Sequence, residues 1–174
     1  MTTEAFDLGE KINNQKVCYK LYQPLWTKHD LSSIDISANK WTTIKFLNID
    51  GSDFHPDIIK VPNSTGGLYL FFIRCNIIGG ITDYPLYIGR AQFSDNQNLR
   101  KRIREYWTKY ARDNERPLIT KMFKYWSDDL YLSYLPIDNN QGIIDYEAKL
   151  INSLLLPFNT EIPDKEIKQA ISAF

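Results

Sequence analysis

The sequence predicts an α/β protein of the α+β type: a small, mainly antiparallel three-stranded sheet flanked by helices, behind an N-terminal extension. Three observations carry this. Compact apolar runs bounded by glycine or proline read as strands. Longer segments with apolar residues three and four apart read as amphipathic helices. From residue 66 onward they alternate as strand, strand, helix, helix, strand, helix, the order of a mixed sheet with helices packed on it. At 174 residues, 43% of them hydrophobic and 14% aromatic, the chain can bury a sizeable core.

Residues 1–62 are the extension, expected to serve substrate recognition. They hold an apolar, aromatic run interrupted by Pro24 and a strand-like WTTIKFLNI at 41–49, but no chemical motif. The main domain spans 63–174. GGLYLFFIR (66–74) is a strand opened by two glycines, NIIGGITDY a hairpin connection, and PLYIG (85–89) the second strand. Residues 95–111 read as a helix with Asp95 as N-cap. PLITKMFKYW (117–126) opens on Pro117, suited to the first helical position. DLYLSYLPI (129–137) is the third strand, and GIIDYEAKLINSLL (142–155) an amphipathic helix that stops before Pro157.

No apolar run approaches the roughly 18 residues of a membrane helix. MTTEAFDLGE lacks a basic start and an apolar stretch, so no signal peptide and no membrane partner are expected. Cys18 and Cys75 match no metal spacing, which suits a reduced, cytoplasmic protein. Formal net charge is zero, yet its distribution is polarised. Residues 98–126 carry nine Lys/Arg against three acids, and residues 127–166 carry eight acids against two lysines. A neutral chain can thus present a basic surface, Arg100, Lys101 and Arg104 among it, to a phosphate backbone.

Two charges sit on apolar stripes. Glu147 lies among Ile143, Leu150, Ile151 and Leu154 of the last helix, and a carboxylate there costs several kcal/mol unless a cation or hydrogen bonds meet it. Arg102 lies with Leu99, Ile103, Tyr106 and Tyr110 on the basic helix. Opposite charges displaced alike on two helices of one small domain predict a shared site. Tyr69 and Tyr87, on the first two strands, complete the set.

This set resembles the GIY-YIG nuclease superfamily, which includes the nuclease domain of the bacterial excision-repair endonuclease, some homing endonucleases and a few restriction enzymes. The first motif stands here as Gly67-Leu68-Tyr69 and the second as Tyr87-Ile88-Gly89. The family's helix arginine falls on Arg102, a tyrosine one turn later on Tyr106, the single glutamate on Glu147 and an asparagine beyond it on Asn159. The resemblance covers residues 66–160. Leu68 replaces isoleucine, and Arg90 stands where the family commonly has lysine. A guanidinium does not deprotonate, so Arg90 can bind or polarise phosphate but cannot act as a base.

The resemblance implies a metal-dependent endonuclease that hydrolyses phosphodiester bonds, DNA being the expected partner, of the stand-alone restriction or defence kind. Glu147 would hold one Mg²⁺, or Mn²⁺ in its place, because a single carboxylate suits a cation that keeps much of its water shell. Arg102 would bind the scissile phosphate; Arg90, Tyr106, Asn159, Arg100, Lys101 and Arg104 would contact substrate. Tyr69 is the implied general base with Tyr87 orienting the water, although the residue types leave that division open. One site cuts one strand at a time, so cutting both favours a homodimer. Two other classes stand beside this reading: a non-cleaving nucleic-acid-binding module of the same fold, and a structural or protein-interaction domain.

Overall fold

The structure, a computed structural model, describes residues 3–173. Its frame is an antiparallel sheet of four strands: β1 (Thr42–Lys45), β2 (Gly66–Arg74), β3 (Asp83–Ala91) and β4 (Leu130–Ile137), in the order β1-β4-β2-β3. The three expected strands are present, and β1 is a fourth, paired with β4 from Thr42–Tyr134 to Lys45–Tyr131. It lies inside the strand-like run at 41–49, is shorter than that run, and buries only Ile44. The segment before residue 63 is also woven into the core, where Ile44, Phe46, Leu47, Ile58 and Val61 are buried.

The described residues form five α-helices, α1 (Thr3–Asn14), α2 (Leu99–Tyr110), α3 (Pro117–Trp126), α4 (Asn140–Leu154) and α5 (Lys165–Ser172), of which α2, α3 and α4 pack on the sheet while α1 buries none of its residues. α2 starts later than expected. Asn98, not Asp95, is the N-cap, accepting a 2.8 Å hydrogen bond from the Lys101 N–H. Asp95 instead lies in the turn between Ser94 and Gln97, which bond to each other. α4 is capped by Asn139 and ends where Leu155 turns into the left-handed region at φ 45°. Among the described residues no helix is long and apolar enough to cross a membrane.

The period of two along each strand sets two cores, one against each face of the sheet, and a small third cluster of Leu25, Leu155 and Ile167 lies apart from them. Tyr69 and Phe71 of β2, Tyr87 of β3 and Leu132 and Tyr134 of β4 face α2 and α3, meeting Leu99, Ile103, Tyr106, Ile119 and Phe123. Leu68, Ile88, Leu135 and Ile137 face α4 and meet Ile143, Tyr146, Leu150 and Ile151. Each fully buried side chain of this size contributes about 1.5–3 kcal/mol. Gly67 sits at φ 153°, where a Cβ would lie 2.2 Å from the Leu135 carbonyl oxygen, so β2 needs glycine there.

β3 is the edge strand beside β2. Its outer side is covered by the chain following α4. The Phe158 N–H donates to the Leu86 carbonyl at 2.9 Å. The Asn159 amide accepts from the Ile88 N–H at 2.9 Å and donates to the Ile88 carbonyl at 2.8 Å. This protects the edge from pairing with another strand. The cover ends at Ile88, leaving the last residues of β3 facing an open cleft.

Candidate active site

The cleft, of about 600 Å³, wraps around the uncovered end of β3 and draws on both faces of the sheet. From the α2 face come Tyr69, Tyr87 and Arg102; from the α4 face come Arg90 and Glu147. Alternation along β3 explains the split, because Tyr87 and Gly89 point one way and Arg90 the other. Arg102 and Glu147 therefore converge although their helices lie on opposite sides of the sheet.

On the α2 side three hydroxyls form a chain. The Tyr69 and Tyr106 oxygens are 2.8 Å apart, and the Tyr106 hydroxyl donates to the Tyr87 oxygen at 3.1 Å. Each phenol has one hydrogen, so with Tyr106 donating to Tyr87, Tyr69 is the donor to Tyr106. Burial, reinforced by any negative charge on Tyr87, pushes the Tyr69 hydroxyl well above the usual phenol range. Burial does the same to Tyr106. The Tyr69 ring lies over Gly89, its partner across the ladder: a Cβ there would fall 2.6 Å from the Tyr69 oxygen. Glycine in the Tyr-Ile-Gly motif thus makes room for the tyrosine of the other motif.

Arg102 projects from α2 one turn before Tyr106, its guanidinium 5.3 Å from the Tyr106 ring centre. Glu105 accepts from Arg102 at 2.8 Å and from Gln97 at 2.8 Å, which fixes the arginine's direction. On the α4 side Glu147 is 14% exposed and paired with Arg90. Burial pushes its carboxyl above the ordinary range, against the opposing pull of Arg90 and, from across the cleft, Arg102. The two misplaced charges of the sequence act on each other within one site.

Other expected contacts lie elsewhere. Arg100 and Arg104 are two residues either side of Arg102, roughly 200° around a helix, and so face away from the cleft. The Arg100 guanidinium donates to the Val61 carbonyl at 2.6 Å and to that of Ile59; Lys101 donates to the Asn96 carbonyl; Arg104 lies 4.8 Å over the Phe54 ring. These three line a separate groove of about 470 Å³ and tie α2 to neighbouring loops. Asn159 commits its amide to Ile88, and Tyr106 is buried between the other tyrosines, so each positions β3 or its tyrosines.

The sequence reading missed Arg116. It precedes α3 and brings its guanidinium carbon 5.3 Å from the Tyr87 ring centre and 5.8 Å from that of Tyr106. Its loop has no periodicity, so nothing in the sequence marks it. Asn140, at the start of α4, also lines the cleft and exchanges two hydrogen bonds with the Phe93 backbone.

Among the described residues no three His, Cys, Asp or Glu side chains cluster as a metal-binding group. The single carboxylate of Glu147 on a polar wall instead fits a cation whose remaining ligands are water and substrate oxygens. No family model, no curated protein and no solved structure matches the chain.

Proposed function

We propose that the protein is a metal-dependent endonuclease of the GIY-YIG type that hydrolyses phosphodiester bonds in DNA. One observation carries this reading: a hydroxyl chain, an arginine and a carboxylate drawn from β2, β3, α2 and α4 meet around one polar cleft at the end of an edge strand. Water attack on a phosphodiester needs a proton acceptor, a cation for charge developing on phosphate oxygens and a site for a divalent ion. The tyrosines can supply the first, Arg102 and Arg90 the second, and Glu147 the third. When bound at Glu147, Mg²⁺ would supply Lewis-acid stabilisation of the phosphate charge. Arg102 is held by Glu105 and does not need to reorganise when phosphate arrives. Arg90, one-third exposed, can leave Glu147 and turn to the phosphate.

A non-cleaving binding module would have no use for a carboxylate placed where it repels phosphate. The test is to incubate the purified protein with supercoiled plasmid, linear duplex, single-stranded DNA and RNA, each with Mg²⁺, Mn²⁺ or EDTA. Cleavage of DNA that requires the cation is the expected result, and equal cutting by one- and two-strand products will report whether two chains act together. A folded protein that cuts none of these with either cation sinks the reading.

A further inference from the structure

We infer that the outward face of α2 is a docking groove for the phosphate backbone of duplex DNA outside the cleft, so that the protein grips its substrate with one face of this helix and cuts it at another. The choice of DNA as partner rests on the endonuclease reading, but the charge of the groove does not. α2 and the turn after it place Lys101, Arg104, Thr108 and Arg112 three or four residues apart, hence on one face, with Lys109 beside them. All five are exposed and line the groove of about 470 Å³ that is separate from the cleft.

The charge of this row is unmatched, which sets it apart from an ordinary solvated helix face. Among the described residues, the ion pairs leave out Lys101, Arg104, Lys109 and Arg112 alike. Glu105, the one acid lining the groove, is taken by Arg102 and Gln97. Two of the cations are held in place by partners without net charge. The Lys101 ammonium donates to the Asn96 carbonyl, and the Arg104 guanidinium lies 4.8 Å over the Phe54 ring. A carbonyl or a ring fixes a cation's position and leaves its charge uncancelled. Arg100 anchors the groove by tying α2 to the loop at Ile59 and Val61. In the cleft the balance is the opposite, because Arg90 and Arg102 each face a glutamate. The free positive charge of α2 thus lies beside the chemistry and not in it.

A chain of zero net charge that gathers four unpaired cations in one row is matched to a polyanion. The row from Lys101 to Arg112 runs roughly 16 Å at about 1.5 Å per residue. One strand of a duplex lying along it passes about five phosphates over that distance, enough to meet the four cations one to one. Duplex DNA has a persistence length of about 150 base pairs, so it is a stiff rod on this scale and keeps its charges in step with a straight helix. A flexible acidic peptide has no such fixed spacing and must be ordered to match the row.

The test reads binding of the full chain in EDTA, separately from cleavage, with a fluorescein-labelled duplex of about 20 base pairs, two helical turns. Affinity is measured at several salt concentrations. Lys109→Gln combined with Arg112→Gln should make the slope of log affinity against log salt shallower by about two, since each phosphate contact contributes about 0.9. Between about 50 and 200 mM salt, wild type should therefore lose roughly tenfold more affinity than this variant. Arg104→Gln alone should take away about half as much slope. Lys20→Gln combined with Lys165→Gln strips the same net charge from elsewhere and should leave the slope as it is. With Mg²⁺ present, the Lys109/Arg112 variant should raise KM and keep kcat. A wild-type slope in the folded Lys109/Arg112 variant, with a wild-type protein that cuts DNA, overturns the inference and leaves the nuclease reading intact. An equal loss in the Lys20/Lys165 control overturns it too, because the attraction would then belong to the whole molecule. Displacement of the duplex by polyglutamate as effectively, charge for charge, as by unlabelled duplex overturns the phosphate assignment in favour of an acidic chain. A wild-type chain that cuts nothing but shows the expected loss of slope supports the groove and overturns the nuclease reading.

Discussion

On the α2 side of the cleft, Tyr69, Tyr106 and Tyr87 are packed into the core and linked hydroxyl to hydroxyl, and Arg102 is fixed by a glutamate that is itself held by a glutamine. On the α4 side, Glu147 and Arg90 meet each other and little else. The first wall is preorganised: its groups already point where charge would develop, and packing prevents them from relaxing. The second is exchangeable, since Arg90 is one-third exposed and can swing away, leaving the largely buried Glu147 charge for an incoming cation to meet. Loss of a group should therefore act mainly on chemistry from the first wall and mainly on ligand binding from the second, with Arg102 and Glu147 as the points where the two meet.

The largest expected effect comes from that point. Glu147→Gln keeps the volume and removes the charge that would hold the cation. Cleavage should fall by roughly a thousandfold, the several kcal/mol a bound metal contributes. DNA binding, measured by mobility shift, should stay at wild-type strength or tighten slightly. The pH dependence of stability provides a check on the fold. Burial raises the Glu147 pKa in the folded state, so ionising it costs stability as pH rises from the ordinary glutamate range through the raised value. Glu147→Gln should therefore melt higher than wild type at neutral pH, and the gap should close as pH falls below that range. Wild-type cleavage by the folded variant would leave the cleft without its metal ligand.

Arg102→Ala tests the preorganised wall. A loss of roughly a hundredfold in cleavage is expected, on the scale of removing one stabilising donor. Here binding should weaken too, with the salt dependence of DNA affinity shallower by about one phosphate contact. Arg100→Ala, from the same helix but outside the cleft, should leave the cleavage chemistry alone and lower the melting temperature, because it loosens the loop at Ile59 and Val61. If both variants lose cleavage equally, the distinction between the two faces of α2 fails.

Tyr69→Phe is milder and separates the tyrosines. It removes the hydroxyl bonded to Tyr106 and leaves Tyr106 and Tyr87 in place, so kcat should fall by about tenfold, the scale of one lost hydrogen bond. Tyr87→Phe should fall much further. The reverse order would make Tyr69 the base.

Much of this site was legible because its residues obey, or visibly break, a period. Glu147 and Arg102 stood out against helical stripes, and Tyr69 and Tyr87 fell on strands whose ends matched or came close to the expected ones. What local pattern does not carry is the third dimension. Neither helix period reveals that α2 and α4 lie on opposite faces and meet only around the end of β3. Arg116 lies in a loop, and Arg90 was readable as a phosphate contact but not as the partner of Glu147. Asn98 displaced Asp95 as N-cap because a turn at Ser94–Gln97 comes first. The strand-like run at 41–49 held β1, but its pairing with β4 joins residues about ninety apart, a contact that no short window contains.

The smallest effect belongs to Arg90, and it has two opposing parts. Arg90 competes with a cation for Glu147, so Arg90→Ala should bind Mg²⁺ more tightly, by about a few-fold for a pair that is open to water only at its arginine. The same arginine also holds the Glu147 pKa down against burial, so its removal pushes that pKa further up. A metal needs the ionised carboxylate. The gain should thus appear in alkaline buffer, where Glu147 is ionised with or without Arg90, and should shrink and then reverse as pH falls into the raised range. DNA affinity should drop by a few-fold at every pH, because a phosphate-facing cation is gone. Isothermal titration with Mg²⁺ across pH, alongside mobility shifts in EDTA, separates the two parts. Metal affinity that is identical to wild type at all pH values would mean that the Arg90–Glu147 pair does not open for a cation, and the α4 wall would then be as fixed as the one opposite.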